Sequence, residues 1–529
     1  MIAVAASAGD QPVVAEFFEL FKTPWEFFRA ASQAGVLLCS LAEIPPSNAR
    51  LVLIYGGAEN AFDRENGIAV RPQVSGKNLA HDGRNFPVYG NCATAENSSG
   101  PVLREINLNG QTFVRIGYDL FAEIRRLLIT GQPAEHAAIP TLEIHIALLR
   151  DLIVSHALPL VEIPPVPEGR SFIACLTHDV DHAGIRNHKF DHTMFGFLYR
   201  ATLGSLFEAV RGRKTLKQMA ANWLAALKLP LVHLGLAGDF WNQFDHYIEI
   251  ENGAASTFFV IPKKGETGLD ANGNRPAKRA ANYDAAGLTA QFRNLQSAGK
   301  EIGVHGIDAW RDAAVGRDEG DLISKLTGAT APGVRMHWLY FNEQSHLELE
   351  RGGFAYDSTV GYNDTVGYRA GTTQVFKPLT TEKLLELPMH VMDTALFYPS
   401  YLNLSPEQAE EKIRPLITGT IHFGGVLTVN WHDRSIAPER LWDGSYCWLL
   451  EEFKANNAWF ATAAQTVAWF NKRRAAAFEP AGDGRIKIKA DSGPKGLPAL
   501  RVRIFQPDAG GGNFVEKSLP DAGEICLAA

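Results

Sequence analysis

The sequence predicts an α/β protein whose central part is built on parallel strands. From Ser171 to about Arg474, short apolar runs typical of buried strands alternate with amphipathic helical patterns. Such alternation places crossover helices between parallel strands, which leaves an α/β barrel or a doubly wound sheet. The strand candidates are 171–177, 255–261, 301–305, 333–337, 383–388 and 425–431, and the clearest helices are 285–298 and 406–416.

The chain is long enough to carry further domains on both sides of this central part. Its 529 residues, 46% of them apolar, exceed one ordinary domain. The Pro-rich stretch Ile163–Gly169 predicts a stiff linker ahead of the central domain. We therefore expect an N-terminal domain over 1–165, a barrel over 171–475 and a C-terminal extension over 478–529.

The N-terminal segment is predicted to be a small α+β domain. Asn109-Gly110 lies between two strand patterns and indicates a hairpin, because both residues accept positive φ. The expected elements are a strand at 51–55, hairpin strands at 104–108 and 112–116, and helices at 118–129 and 141–155.

Two further segments, an insert in the barrel and the C-terminal extension, are predicted to carry additional secondary structure. The insert at about 184–250 is rich in Phe, Leu, Trp and basic residues and is expected to be helical. It is either a packing elaboration on the barrel rim or a lid or substrate wall. In the C-terminal extension, 484–490 and 500–504 alternate apolar and charged residues, which predicts a two-stranded, half-buried ribbon.

Composition argues against several classes of function. A net charge of −7 disfavours a general nucleic-acid binder and an anionic membrane surface as partner. No window approaches eighteen uninterrupted apolar residues, so we expect no membrane span. The first residues lack the basic region of a signal peptide, and a cytoplasmic location is the default. Free thiols are expected from five cysteines without ligand spacing: Cys39, Cys92, Cys175, Cys447 and Cys526.

Two carboxylates follow the first strand of the central domain. They belong to the segment Thr177-His178-Asp179-Val180-Asp181-His182. Side chains alternate faces along a strand, so Asp179 and Asp181 project to the same side. Two adjacent carboxylates are costly unless a positive group lies between them, and a metal ion is the expected group.

Three further strands end in histidine, at His305, His337 and His432, and the second of these strands also carries Arg335. The C-terminal ends of parallel strands meet in one crevice, so these side chains should converge with the aspartates. Asp and His together offer the oxygen and nitrogen ligands that suit Zn²⁺ with an open position for water. The sequence therefore predicts a divalent metal site, with Zn²⁺ as the expected ion.

The motifs also point to a family. Five pieces carry the resemblance: Thr177–Asp181, Ser256–Val260, Glu301–His305, Arg335 and His432. In order and spacing they resemble the motifs of the polysaccharide deacetylases, the family-four carbohydrate esterases, over about 300 residues. The resemblance implies a distorted, incomplete (β/α) barrel. It also implies a hydrolase that removes an N-acetyl or related acyl group from a sugar or polysaccharide.

The resemblance assigns a role to each matching residue. Asp179 would be the general base, and Arg335 would hold its carboxylate ionised and oriented. Asp181 and His305 would bind the metal. His432 would be the general acid that protonates the departing amine.

One position departs from the family pattern. The family has a second metal-binding His four residues after the first, and this chain has Ala309 there. We expect His337 as the substitute, because it lies two residues beyond Arg335 on a strand end facing the same crevice; Asp308 is the alternative. Two other readings stay open: a metal-independent hydrolase of cyclic amides with the same fold, and a degenerate carbohydrate-binding protein without activity.

Further residues are candidates for binding substrate. The backbone N–H of Trp338 is a candidate oxyanion donor. Asp357 and Arg369 could bind sugar hydroxyls or support His432, or they could form an ion pair within their own loop. Two residues, His390 and Asp393, could line the crevice or merely cap a strand end. The sequence names neither the sugar nor the oligomeric state.

Overall fold

A computed structural model describes most of the chain and confirms its predicted α/β class. The structure describes residues 1–73, 76–95, 100–481, 485–490, 493–506, 514–519 and 524–528. Strands are numbered β1–β25 and helices α1–α15 in chain order.

The N-terminal part is a sheet flanked by helices. Its elements are β1 (Ile2–Ala5), α1 (Gln11–Phe21), β2 (Trp25–Phe27), β3 (Val36–Cys39), β4 (Leu51–Tyr55), α2 (Ala61–Glu65), β5 (Val70–Gln73), β6 (Lys77–His81), β7 (Arg84–Val88), β8 (Cys92–Ala95), β9 (Leu103–Leu108), β10 (Gln111–Ile116), α3 (Leu120–Ile129), α4 (Thr141–Ser155) and β11 (Leu160–Glu162). The hairpin prediction is confirmed: β9 and β10 pair across Asn109 and Gly110, whose φ angles are 49° and 81°.

This sheet is more parallel than the expected α+β arrangement. Its order is β2-β1-β3-β4-β10-β9, and every described pair except β9–β10 is parallel. The helix α1 lies between β1 and β2 in the chain and supplies the long crossover that a parallel pair needs.

The central domain is a curled parallel sheet. Its strands are β12 (Ile173–Val180), β13 (Ser256–Val260), β14 (Glu301–Gly306), β15 (Val334–Met336), β16 (Tyr356–Asp357), β17 (Leu385–Glu386), β18 (Val391–Met392), β19 (Val426–Asn430) and β20 (Trp459–Phe460). The order is β17-β16-β15-β14-β13-β12-β19-β18, with β20 beside β12. The two end strands, β17 and β18, are joined by only four residues, 387–390, so the sheet must curl until its ends approach. This is the predicted distorted, incomplete barrel.

Helices cover the outside of this barrel. They are α9 (Thr289–Ser297), α10 (Ala313–Thr327), α11 (Ser345–Gly352), α12 (Asp393–Phe397), α13 (Pro406–Phe423), α14 (Asp443–Ala455) and α15 (Ala463–Ala475). The central strand β12 is buried over its whole length, as a parallel strand covered on both faces must be.

The insert folds as helices, as predicted. They are α5 (His192–Tyr199), α6 (Ser205–Val210), α7 (Leu216–His233) and α8 (Phe244–Glu251), with a π-helical turn at Arg200–Gly204 between the first two. Among the described residues, no helix combines the length and apolar character of a membrane span. The cytoplasmic location stays a prediction.

The tail differs from the predicted ribbon. Its strands are β21 (Ala477–Pro480), β22 (Arg485–Lys489), β23 (Leu500–Phe505), β24 (Phe514–Leu519) and β25 (Glu524–Ala528). The two predicted strands exist but do not pair with each other: β22 lies between β21 and β25, and β23 lies between β11 and β24. The edge of β11 offers unpaired backbone groups next to the linker, and β23 satisfies them. Residue 484, the first of the predicted ribbon, lies outside the described residues.

The linker is buried rather than a free spacer. Residues 161–167 are all buried, and the carbonyl of Pro165 accepts a hydrogen bond from Gly425 N at 2.7 Å. Four cysteines are free thiols as predicted: Cys39, Cys92, Cys175 and Cys447. The side chain of Cys526 lies outside the described residues.

Candidate active site

The first strand of the barrel sends alternate side chains into the barrel and towards the outer helices. His178 faces outward and is fully buried, with its ring nitrogens 2.8 Å from Trp431 O and 2.8 Å from Glu251 Oε1. The neighbouring Asp179 and Asp181 both face His305 Nε2, at 3.8 and 3.5 Å. The predicted same-side projection of the two aspartates is therefore confirmed.

Three side chains converge at the carboxyl ends of β12, β14 and β15. The Nδ1 atom of His337 lies 2.9 Å from His305 Nε2 and 3.4 Å from Asp181 Oδ1. His305 Nε2 closes the triangle at 3.5 Å from that oxygen. A tetrahedral Zn²⁺ with ligands at about 2.1 Å holds its ligand atoms about 3.4 Å apart. The two sides that end on Asp181 Oδ1 have this length, and the side between His305 and His337 is shorter, at a hydrogen-bonding distance.

The chemical state of the three groups also fits a cation. Asp181 Oδ1 is buried and has no hydrogen-bond partner among the described residues, which is costly for a carboxylate oxygen. Burial raises the pKa of Asp181, but His337 and His305 outweigh it and hold that pKa well below its usual range. Burial lowers the pKa of His337 to about 3, so this ring is neutral and has a lone pair to offer.

The orientation of His305 is fixed by the backbone. Its Nδ1 lies 3.0 Å from the carbonyl oxygen of Arg335, which can only accept a hydrogen bond. Nδ1 therefore carries the proton, and Nε2 presents its lone pair to the triangle. Metal-ligating histidines are commonly held this way by a partner behind the ring.

The structure brings His337 rather than Asp308 to the position of the missing ligand. Asp308 Oδ1 accepts a hydrogen bond from Leu269 N at 3.0 Å and lies 3.8 Å from Arg279 Nη1. Ala309, at the position of the family's second His, is completely buried in the core.

Asp179 is held beside the triangle by two donors. Its Oδ1 accepts a hydrogen bond from Arg335 Nη1 at 3.0 Å, and its Oδ2 accepts one from Asn430 Nδ2 at 2.8 Å. Burial raises the pKa of Asp179, but its interactions with His305, Arg335 and His432 outweigh burial and lower that pKa below its usual value. The carboxylate is therefore ionised at neutral pH and free to accept a proton.

The guanidinium of Arg335 cannot move far from this carboxylate. It is completely buried, and it also donates to Thr177 Oγ1 at 2.6 Å, to Ser358 O at 2.9 Å and to Ser358 Oγ at 2.8 Å. Its plane lies over the ring of Phe259, 4.6 Å from the centroid. These contacts fix the position of Arg335 before any substrate binds.

His432 lies beside the triangle and is paired with Asp393. Its Nδ1 is 2.6 Å from Asp393 Oδ1, and its backbone N donates to Asp393 Oδ2 at 2.7 Å. The free Nε2 points towards Asp181 Oδ2, 4.0 Å away. Burial lowers the pKa of His432, but Asp393 outweighs it and raises that pKa to about 9. The ring is therefore protonated at neutral pH.

Trp338 follows the ligand His337 in a strained turn. Its φ angle is 63° and that of Leu339 is 53°, both in the left-handed region that costs non-glycine residues energy. The indole is 41% exposed, while the neighbouring His337 is buried. The turn therefore presents a flat apolar ring at the mouth of the crevice.

Two predicted substrate-binding residues lie away from solvent or from the crevice. Asp357 is completely buried, and its carboxyl is 3.7 Å from His346 Nε2. Arg369 donates to Gly361 O at 2.8 Å, and its own carbonyl accepts from Gln132 N in the N-terminal part. The predicted loop-internal pair between Asp357 and Arg369 is replaced by contacts with these other partners, because the loop packs against the N-terminal domain.

Sequence reasoning underrated three residues of this site. Asn430 and Ser358 are not among the predicted site residues. Asp393 is predicted to line the crevice or to cap a strand end, and in the structure it pairs with His432. Asn430 is a polar residue in the otherwise apolar buried strand β19, and it lies two positions before His432 on the same face. This spacing could have indicated that Asn430 belongs to the site. The contacts of Asp393 with His432 and of Ser358 with Arg335 depend on loop geometry, which the sequence pattern does not give.

Comparison with known proteins adds a likeness of fold. No protein-family model and no curated protein matches the chain. A crystal structure from Mycobacterium smegmatis, provisionally described as a polysaccharide deacetylase, matches 59% of this chain and 95% of that one, with 20% identity and a TM-score of 0.37. A peptidoglycan N-acetylglucosamine deacetylase matches 57% of this chain and 90% of that one, with 11% identity and a TM-score of 0.29.

A third similar structure has lost activity. It is a pseudoenzyme of the same family from Bacillus anthracis, which matches 44% of this chain and 62% of that one, with 11% identity and a TM-score of 0.26. These are similarities of a deacetylase-like fold at low sequence identity. They say nothing about the activity of this chain, which has to be argued from its own site.

Proposed function

We propose that this chain is a metal-dependent hydrolase that removes an N-acetyl or related acyl group from a sugar or polysaccharide. One observation carries the proposal: the triangle of Asp181, His305 and His337 has both an ionised carboxylate, Asp179, and a protonated imidazole, His432, within 4.0 Å of its members. A pure binding site has no need of a base and an acid beside one point.

The three ligands supply two nitrogens and one carboxylate oxygen. That donor set suits Zn²⁺ or a similar divalent ion and leaves positions for water and substrate. An ion bound there lowers the pKa of a bound water towards neutrality and polarises an acyl carbonyl.

Asp179 is the proposed general base. It is ionised and oriented by Arg335 and Asn430, and its Oδ2 lies 3.8 Å from the ligand atom of His305. It accepts the proton of the attacking water while that water adds to the acyl carbon. A positioned base of this kind contributes roughly 10²- to 10⁴-fold to the rate.

His432 is the proposed general acid. Its Nδ1 is held by Asp393, so the proton on Nε2 faces the site. When the carbon–nitrogen bond breaks, Nε2 donates this proton to the departing amine. Asp393 positions the ring and stabilises its charged form, as the carboxylate of a catalytic triad does for its histidine.

Trp338 is proposed to bind substrate in two ways. Its exposed indole offers an apolar face to a sugar ring, and its backbone N–H is a candidate donor to the oxyanion that develops on the acyl group. A carbohydrate substrate is supported by this ring and by the family resemblance of the motifs.

The proposal is tested with purified chain incubated with Zn²⁺ and N-acetylated chitooligosaccharides. Release of acetate that requires the ion, and that disappears on chelation and returns on adding Zn²⁺, is the expected result. Ring opening of a cyclic amide such as allantoin by metal-free protein would support the metal-independent hydrolase instead. Glycan binding that persists without turnover of any acylated sugar would support the binding protein.

A further inference from the structure

The insert exposes an unusual amount of apolar surface. Of the large hydrophobic side chains that are exposed in the described part of the chain, fourteen of twenty lie between residues 190 and 236. Val210, Leu216, Leu227, Leu234 and Leu236 are each more than 70% exposed. Residues 189–236 are here termed the insert hairpin. Contiguous exposed apolar surface of this kind marks an interaction site in a soluble protein.

The exposed side chains of α7 occupy one face of the helix. At 3.6 residues per turn, they fall within about 100° of its circumference. They are Leu216, Trp223, Leu224, Leu227, Leu231 and Leu234. The side chains that α7 buries lie on the opposite face, and they are Asn222, Ala225, Leu229 and Val232. The helix therefore has one face packed against the protein and, opposite it, an apolar face that is exposed to solvent.

The preceding arm repeats the pattern. Its exposed residues recur at helical spacing, and they are Phe195, Tyr199, Leu203, Leu206, Phe207 and Val210. α7 packs along this arm, and Trp223 Nε1 lies 3.4 Å from Thr202 O. The two arms thus form one hairpin. Both arms bury side chains in one cluster around Trp241 and expose apolar side chains on their other faces.

The charge of the insert hairpin is opposite to that of the rest of the chain. It contains seven Lys and Arg against two Asp and Glu, a net charge of +5, while the whole chain carries −7. Three of the basic residues, Arg211, Arg213 and Lys214, form the turn between the arms. On α7, Lys217 and Lys228 lie along the edge of the exposed apolar face. Such flanking lysines reach past apolar surface to keep their charge in water or beside anions.

The insert hairpin is held firmly against the rim of the barrel that carries the site. Lys214 Nζ donates to Glu439 O at 3.1 Å, and Arg186 Nε donates to Val232 O at 2.8 Å. Asn222 Nδ2 donates to Pro438 O. These contacts join the hairpin to the segments that follow Asp181 and His432 in the chain.

We propose that the insert hairpin binds the surface of an anionic lipid bilayer, with its apolar faces in the headgroup–acyl boundary and its basic residues against lipid phosphates. A basic amphipathic helix that exposes Leu, Phe and Trp is the pattern of an interfacial segment that lies on a membrane without crossing it. The negative net charge of the whole chain, which disfavours an anionic membrane as partner, does not reveal this local positive charge. The inference does not depend on the proposed activity.

A lipid surface matches this face better than a second copy of the chain. An isologous dimer through the apolar faces would bring two hairpins of charge +5 together. Anionic headgroups neutralise the same charges and leave the flanking lysines hydrated. The binding should therefore require both the apolar side chains and the positive charge.

The test is flotation of the full-length chain with vesicles of phosphatidylcholine, with or without phosphatidylglycerol. We expect the chain to float with the anionic vesicles and to bind them less as salt rises. Replacing Leu216, Leu227 and Leu234 by Ser should weaken partition at least about tenfold. Replacing Arg211, Arg213 and Lys217 by Gln should weaken it about 100-fold on anionic vesicles only.

Matched controls separate this effect from general changes. Leu103→Ser removes an exposed leucine of the N-terminal domain, and replacing Arg293, Lys325 and Lys454 by Gln removes three exposed charges from barrel helices. These variants should float like the wild type, and all variants should keep its melting temperature. Absence of flotation with either vesicle overturns the proposal. The proposal is also overturned if the wild type forms a dimer in solution and does not bind vesicles, while the triple Leu→Ser variant is monomeric.

Discussion

Two clusters in this barrel each combine histidine and carboxyl side chains, but the carboxyl groups of the two clusters differ in protonation state. Asp181, His305 and His337 form one, and His346, Asp357 and Glu386 form the other. In each, the ligand atoms lie within 4.8 Å of one another. In the first, the Asp181 carboxylate is ionised and its side chain is 22% exposed. The second is sealed inside the protein.

Protonation separates the two clusters. Burial, together with Glu386, raises the pKa of Asp357 well above its usual range, and burial raises the pKa of Glu386 to about 7. The neighbouring His337, His305 and His432 keep the single aspartate of the first cluster, Asp181, ionised. The carboxyl groups of the second cluster keep protons that a cation would have to displace. Residue types at metal-ligand spacing therefore do not by themselves identify a metal site; the charge state and access decide.

The largest expected effect is a loss of turnover when Asp is replaced by Asn beside the first cluster, compared with the same replacement in the second. Asp179→Asn should lower turnover by roughly 10²- to 10⁴-fold, because the amide cannot accept the proton of water. Asp357→Asn should leave turnover within about twofold, since the acid it replaces is already neutral. Steady-state rates of both variants, with circular dichroism as a check of folding, make the comparison. Near-normal turnover in Asp179→Asn would remove that residue from the role of base.

An intermediate effect is expected from the residue that holds His432. Asp393→Asn removes the carboxylate that stabilises the imidazolium, so the pKa of His432 falls from about 9. An acid works only below its pKa. The alkaline limb of the pH–rate profile should therefore move to lower pH, and turnover near neutrality should drop roughly 10- to 100-fold. A lower rate with an unmoved alkaline limb would mean that Asp393 has a structural role alone.

The smallest expected effect is on the free energy of unfolding and comes from the buried cluster of His346, Asp357 and Glu386. The folded chain holds the proton of Glu386 up to about pH 7, whereas the unfolded chain releases it near the ordinary value of 4.5. Between these values the folded state binds more protons, so the free energy of unfolding falls as pH rises, by up to about 3 kcal/mol. Glu386→Gln cannot lose a proton and should show a smaller fall between pH 5 and 8 in denaturant titrations. An equal fall in both proteins would exclude Glu386 as the source.

Much of the barrel and its site was predictable because both follow from periodicity. Each of the six strand candidates overlaps a strand, and the strand-end residues Asp181, His305 and His337 converge as parallel topology requires. Features outside the periodic segments were not predictable in this way. The partner of His432 comes from a short helix after β18. Asp357 lies in the short strand β16 and is buried, where the sequence indicated a loop.

The tail shows a second limit of local pattern. Alternation correctly predicts β22 and β23, but a strand pattern does not specify its partner. One of the two partners of β23 is β11, more than 300 residues away in the chain, so this pairing depends on how distant parts of the chain pack. In the insert, composition predicts helices, and only their packing reveals which apolar side chains stay exposed.

The metal content of the purified chain tests the central claim most directly. Wild type, His337→Ala and His346→Ala are loaded with Zn²⁺, freed of excess ion and analysed by mass spectrometry of the metal. The account predicts about one ion per chain in the wild type and in His346→Ala, and a strong loss in His337→Ala. Loss in His346→Ala with retention in His337→Ala, or no bound ion in any of the three, would contradict it.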